Sequence, residues 1–179
     1  MHKNELEKPY TVVEYDEKSV KTLDKTVTNV LQLAMSKRLK IATAESCTGG
    51  LISGAITSVS GASEVFDLGL CTYANSAKMR FLNVREETLA KFGAVSPNTA
   101  YEMASGLHEL TGADICISVT GIAGPSGGSD EKPVGTVFAG IYFCGEVYVY
   151  LLKSKATDTR DKIRNNTVEM VFDILEKTV

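Results

Sequence analysis

Apolar residues Val20, Leu23, Val27, Val30 and Leu31 recur three and four positions apart, which predicts an amphipathic helix over residues 20–33. The apolar run of residues 40–44 predicts a short buried strand, ending at Glu45-Ser46-Cys47-Thr48-Gly49-Gly50. A second helix is expected to about residue 59, with Gly61 helping to end it. Residues 67–73 read as a second strand, and Asn75 or Ser76 can cap the short helix behind it. Residues 86–92 form a helical pattern stopped by Gly93. Ser96-Pro97 supplies an N-cap and a first-turn proline for a helix to about Leu110, with Gly112 beyond its end. Residues 114–120 predict the next strand. It leads into Gly121-Ile122-Ala123-Gly124-Pro125-Ser126-Gly127-Gly128, too rich in glycine and proline for regular structure. Strands over 136–143 and 147–152 flank a tight turn at Cys144-Gly145-Glu146, the pattern of an antiparallel hairpin. Thr157 or Asp158 caps a last helix that runs nearly to the C-terminus. Strand–helix alternation closing on a hairpin predicts an α/β fold with a mixed sheet, in one domain.

Composition narrows the function classes. The chain has 179 residues, net charge −3, 44% hydrophobic and 23% charged residues, which suits one globular domain with a continuous core. No run of lysine and arginine interleaved with aromatics suggests a nucleic-acid groove, so no nucleic-acid partner is expected. No apolar stretch approaches the roughly 20 residues that span a bilayer, and no membrane partner is expected. The N-terminus has no apolar signal segment and reads as a solvated, charged lead-in; a cytoplasmic location is expected. Cys47, Cys71, Cys116 and Cys144 are widely spaced, without a C-x-x-C pair or a histidine at ligand spacing, so neither a disulfide framework nor a metal site is expected. Three of them sit in apolar runs, where a thiol acts as a small hydrophobe. Cys47 adjoins a candidate nucleophile and must be weighed as a catalytic thiol. His2 falls on the terminus and His108 on a predicted helix surface, so a Ser-His-Asp triad would depend on His108 alone.

Three segments can carry chemistry. In Ala44-Glu45-Ser46-Cys47-Thr48-Gly49-Gly50 a strand end, a small nucleophile and two glycines open a helix, whose unpaired N–H groups near Thr48, Gly49 and Gly50 could hold an oxyanion. Ser46 or Thr48 could equally be a simple helix cap. In Thr72-Tyr73-Ala74-Asn75-Ser76-Ala77-Lys78, parallel strands would bring Tyr73 and Lys78 opposite Ser46 at the carboxyl ends of the sheet. A lysine can act as the serine's base if burial lowers its pKa, with Tyr73 relaying the proton or holding the amine. A solvated lysine and a core tyrosine fit the same pattern. Thr120 and the glycines after it could cradle an anion. Arg160 and Arg164 lie on the first turn of the last helix, against its dipole, so a guanidinium reaching a phosphate is attractive there.

These motifs, with Gly93-Ala94-Val95-Ser96 and Lys132-Pro133-Val134-Gly135-Thr136-Val137, are similar to those of the C-terminal domain of the competence/damage-inducible protein CinA, the nicotinamide-nucleotide amidase family. The resemblance covers residues 25–178 in uninterrupted order. It divides the chain into an N-terminal extension, residues 1–24, and an amidase domain, residues 25–179. It implies a three-layer α/β/α sandwich and deamidation of nicotinamide mononucleotide, a small-molecule nucleotide substrate, to nicotinic acid mononucleotide and ammonia, with no metal or organic cofactor. By position, Ser46 matches the family nucleophile and Tyr73 and Lys78 its activating pair. Thr48, Gly49 and Gly50 match the oxyanion region, and Thr120 and Arg160 positions that contact the nucleotide. Asn75 and Gly121 belong to the same substrate-binding motifs. Around Arg160 the pattern departs from the family's, which has a glycine two residues earlier where this chain has Asp158. A non-catalytic nucleotide-binding module of a competence or DNA-damage pathway, a Cys47 hydrolase and a hydrolase of another nucleotide amide are the rival readings. A homo-oligomer is a further expectation, because Val147 and Val149 on the hairpin suit an interface, although the same alternation fits a half-buried strand.

Overall fold

The computed structural model describes residues 10–15 and 22–179. Six strands form one mixed sheet: β1 (Val12–Tyr15), β2 (Ile41–Glu45), β3 (Phe66–Cys71), β4 (Ile115–Gly121), β5 (Thr136–Phe143) and β6 (Glu146–Lys153), in the order β1-β6-β5-β4-β2-β3. Strands β2, β3 and β4 are mutually parallel; β5 runs antiparallel to β4 and β6, and β1 lies parallel to β6. The carboxyl ends of β2, β3, β4 and β6 therefore meet at one edge of the sheet, which is where α/β folds bind ligands.

Helices cover both faces, giving the α/β/α sandwich. α1 (Leu23–Lys37), α2 (Leu51–Thr57) and α6 (Arg160–Thr178) pack together on one face; α3 (Asn75–Leu82), α4 (Glu86–Phe92) and α5 (Pro97–Thr111) cover the other. Alternation along the strands explains this. In β4, Ile115, Ile117 and Val119 join the core beneath α1 and α6, while Cys116 faces the core under α3 and α5. Ser118 lies on the α5 side, and its hydroxyl donates to the Ala100 carbonyl of α5 at 2.7 Å. Small residues let α5 lie this close, for a Cβ on Gly140 would meet that same carbonyl at 2.5 Å.

Helix ends follow their residues where a side chain or glycine decides them. Ser96 Oγ accepts from the Thr99 N–H at the start of α5, and Gly112, at φ +67°, ends it. Cys144 and Gly145 both have positive φ, as a two-residue hairpin turn requires. Two caps differ from expectation. Ala74 is the N-cap of α3 with no side-chain bond, so neither Asn75 nor Ser76 caps it. The last helix is capped by Thr159, whose hydroxyl accepts from the Lys162 N–H, because Asp158 is engaged with Lys155 N–H and Lys162 Nζ instead. α1 begins at Leu23; the expected start at Val20 lies outside the described residues, as does His2.

Within the stretch read as a charged lead-in, Val12–Tyr15 adds a strand along β6, and Glu14 pairs with Lys153 at 2.9 Å. Tyr15 is buried in the main core, and Val149 of β6 is buried within this chain, between β1 and β5. Among the described residues, no helix is long and apolar enough to cross a membrane.

Candidate active site

Ser46 follows β2 directly. Its N–H donates to Val119 O of β4, which fixes the residue at the sheet's carboxyl edge. Its hydroxyl faces Lys78, whose Nζ stands 3.1 Å from Ser46 Oγ. Lys78 comes from the first turn of α3 and reaches back under the end of β3, where Nζ donates to the carbonyls of Thr72 at 2.8 Å and Tyr73 at 3.1 Å. Lys78 is only 1% exposed, one of the largest fully buried side chains, and among the described residues no carboxylate pairs with it. Burial pushes its pKa below the ordinary lysine value, against a smaller opposite effect of Cys47. A neutral amine has two N–H donors and one lone pair. With two carbonyls taking the donors, the lone pair is left for the serine proton.

Tyr73 is not the core tyrosine of the alternative reading. The residue is 65% exposed, and its phenol oxygen accepts a long 3.4 Å contact from Arg160 Nη2. The lysine is held by the backbone carbonyl of Tyr73, and the phenol points to the rim. The lysine is buried and the tyrosine solvated because β3 ends at Cys71 and the chain turns there, exposing residues 73–76 while folding the first turn of α3 back under the sheet edge.

The turn after Ser46 is organised by a residue the sequence reading left without a role. Glu45 is fully buried, and its carboxylate accepts from the N–H groups of Gly50 (2.9 Å), Ile52 (3.1 Å) and Ser53 (2.8 Å) and from the Ser53 hydroxyl (2.7 Å). The positive end of α2 is thus capped by the strand residue before the serine, and neither Ser46 nor Thr48 does that work. This corrects the expected oxyanion donors. Gly50 N–H belongs to Glu45, and Gly49 N–H donates to Ser46 O at 3.2 Å. Among the described residues the Thr48 N–H donates to nothing although the residue is buried, whereas the Cys47 N–H lies against its own sulfur. Gly49 and Gly50 serve the turn through positive φ, +61° and +98°.

The remaining candidates form the rim. Arg160 Nη1 donates to Gly124 O at 2.8 Å, tying the glycine-rich loop to the start of α6, and three of its five N–H donors stay available. Thr120 Oγ1 donates its proton to Ala94 O at 2.7 Å, so it anchors the segment before α5 and has no hydrogen left for a phosphate. Gly121 packs against Val137 of β5, where any Cβ would clash. Asn75 is exposed at the start of α3, and no side-chain bond ties it down. The loop after Gly121 is packed on itself, with Gly124 and Gly128 both against Val134.

Two alternatives lose support. The Cys47 thiol is buried and its pKa is pushed up to about 12 by burial, with Glu45 adding to it, over the opposing hydrogen bond of its own backbone N–H and the smaller opposing effects of Arg160 and Lys78. A thiol so disposed is a poor nucleophile at neutral pH. His108 sits near the far end of α5, stacked on Tyr142 with ring centroids 3.8 Å apart, and Tyr142 pairs with Cys116 at the start of β4, the opposite edge from Ser46. Cys71 and Cys144, read as small hydrophobes, are exposed; Cys116 is buried. Among the described residues no group of three or more histidines, cysteines or carboxylates could hold a metal ion.

A family model described as the CinA C-terminal domain matches residues 23–179. The chain belongs to the CinA C-terminal domain family. A CinA-like protein of Kosmotoga olearia is 47% identical over 150 residues, 84% of this chain and 36% of that protein; one of Thermotoga maritima is 47% identical over 148 residues, 83% and 36%. The chain thus spans about a third of the length of these curated relatives. Among solved structures, the competence/damage inducible protein CihA of Agrobacterium tumefaciens superposes with TM-score 0.83 at 40% identity, over 88% of this chain and 97% of that one. The CinA superfamily protein ECK1530/EC0983 of Escherichia coli does so with TM-score 0.85 at 29% identity, over 91% and 94%.

Proposed function

We propose that this CinA-family chain is a serine amidohydrolase that deamidates nicotinamide mononucleotide to nicotinic acid mononucleotide and ammonia. The observation that carries the reaction type is the buried Lys78 amine 3.1 Å from Ser46 Oγ, without a carboxylate to neutralise it. Burying an amine without a counter-charge is costly, and perturbed amines in contact with a nucleophile cluster at catalytic sites. The choice of substrate rests on the family resemblance and on Arg160, a rim cation with donors to spare for a phosphate.

The Ser46 hydroxyl attacks the carboxamide carbon as its proton passes to the Lys78 lone pair. The tetrahedral oxyanion accepts from the free N–H of Thr48. Collapse breaks the C–N bond, and the Lys78 ammonium protonates the leaving nitrogen as ammonia. Water then attacks the Ser46 ester, gives one proton to Lys78, and the lysine returns it to Ser46 Oγ as the carboxylic acid leaves and loses its remaining proton to solvent. The cationic pyridinium ring makes the carbonyl carbon more electrophilic, and the distant phosphate supplies binding energy for positioning. Tyr73 acts through its carbonyl on Lys78 and through its ring at the rim beside Arg160. The reaction draws on these side chains and water alone. The four free cysteines suit a reducing cytoplasm, where we place the chain.

Ammonia release from nicotinamide mononucleotide by wild type and Ser46→Ala tests the reading. Turnover by wild type, reduced to background in Ser46→Ala, is expected. Equal turnover by both would remove Ser46 from the mechanism, and binding without turnover in either would favour the non-catalytic module.

A further inference from the structure

Two charged side chains grip the turn between β2 and α2 from opposite sides. Glu45 holds its N–H groups, as described. Arg164, one helical turn into α6, holds its carbonyls: Nε donates to Cys47 O at 3.2 Å and Nη2 to Thr48 O at 2.9 Å. The remaining nitrogen, Nη1, faces the exposed carboxylate of Asp161 at 3.5 Å. The edge of the guanidinium is therefore committed to the backbone.

In a trans peptide the C=O and the following N–H point in opposite directions. Fixing the Cys47 and Thr48 oxygens towards α6 turns the N–H groups of Thr48 and Gly49 away from it. The Gly49 N–H is spent on Ser46 O. Among the described residues the Thr48 N–H is left without a partner, in a residue that is 0% exposed. Buried, unpaired backbone donors are rare, and one held open two residues after a nucleophile is placed to meet charge that develops only during reaction. Without the fork, the 47–48 peptide loses the bond that sets its plane.

The geometry points to Arg164 as a positioning residue for catalysis: by holding the Cys47 and Thr48 carbonyls it aims the Thr48 N–H at the oxyanion of the Ser46 adduct. This rests on the reading of Ser46 as nucleophile. Arg164 itself touches no reacting atom, in contrast to Arg160 at the rim.

The test uses the full chain with Arg164→Gln and Arg164→Lys, and two readouts. One is kcat and KM for nicotinamide mononucleotide. The other is the rate at which a fluorophosphonate labels Ser46, located by mass spectrometry, since its phosphoryl oxygen takes the oxyanion's place whatever the natural substrate. Arg164→Gln is expected to lower kcat and labelling rate about 10²-fold, with KM within about twofold. Arg164→Lys, which keeps the charge but not the fork, recovers only part of this. A raised KM with kcat retained would make Arg164 a substrate-phosphate contact and overturn the proposal. Full recovery by lysine, or labelling at the wild-type rate in Arg164→Gln, would overturn it too. Wild type that is labelled at Ser46 yet releases no ammonia would defeat the substrate assignment alone, and labelling would still decide the role of Arg164. Wild type that is neither labelled nor active would defeat the Ser46 reading and this proposal together.

Discussion

Replacing Lys78 by methionine removes one proton site from the interior while keeping a side chain of similar length. At the ordinary lysine pKa of 10.5, only about one amine in 1000 would be neutral at pH 7.5. Each unit by which burial lowers that pKa gives about tenfold more free base and reflects about 1.4 kcal/mol of disfavour for the ammonium in the folded chain. Two consequences share one origin. The wild-type kcat/KM should climb about tenfold per pH unit on an acid limb and level off at the lowered pKa, well short of 10.5. Stability should change over the same interval. Below the lowered pKa both folded and unfolded chains bind the proton, and the burial penalty is fully present. Between that pKa and 10.5 only the unfolded chain binds it, so stability rises with pH by about 1.4 kcal/mol per unit. Lys78→Met should abolish the limb, drop turnover to background and lack that rise. Ammonia release and urea melts at matched pH, from about pH 6 to about 10, read both, and the difference between the two proteins isolates Lys78 from other titrating groups. A wild-type limb at the unperturbed lysine value, or one that survives in Lys78→Met, would refute the assignment of Lys78 as base.

Iodoacetamide at neutral pH should label the exposed Cys71 and Cys144 and spare buried Cys47, with activity retained; inactivation that tracks labelling of Cys47 would restore the thiol as a candidate. Arg160→Ala should raise KM roughly tenfold or more and leave kcat within a few-fold, the mark of lost uniform binding; an equal fall in kcat would bring Arg160 into the chemistry. Gly106→Ala should lower stability by about 1–3 kcal/mol in a denaturant melt, because the new Cβ would press into the Leu82 carbonyl where α5 crosses the end of α3. An unchanged melt would show that the two helices separate at no cost.

What was legible in the sequence was local. The α5 boundaries follow from Ser96-Pro97 and Gly112, and the end of α4 from Gly93. The gathering of Ser46, Lys78, the glycine-rich loop and Arg160 at one edge follows from the parallel order of β2, β3 and β4, which strand–helix alternation predicts. What was hidden depends on direction or on distant pairing. Lys78 and Tyr73 lie five residues apart in a mostly polar stretch, and only the turn at the end of β3 decides which goes inside. Glu45 caps α2 from inside a strand, five to eight residues ahead of its partners, a spacing no capping box uses. A carboxylate beside a serine and just ahead of a Gly-Gly helix start was the available signal. Strand β1 takes its register from Val149 to Leu152, well over a hundred residues away, so its four residues carry no recognisable pattern of their own.

The carbonyls that hold Lys78 have a consequence for how this site can diverge. Every amino acid, proline included, brings a carbonyl to positions 72 and 73, so no single codon change there can delete either acceptor. The anchorage of the lysine is inherited with the path of the chain. Position 73 can therefore exchange its exposed ring for another side chain, and reshape what the rim admits, while the amine keeps both of its backbone partners.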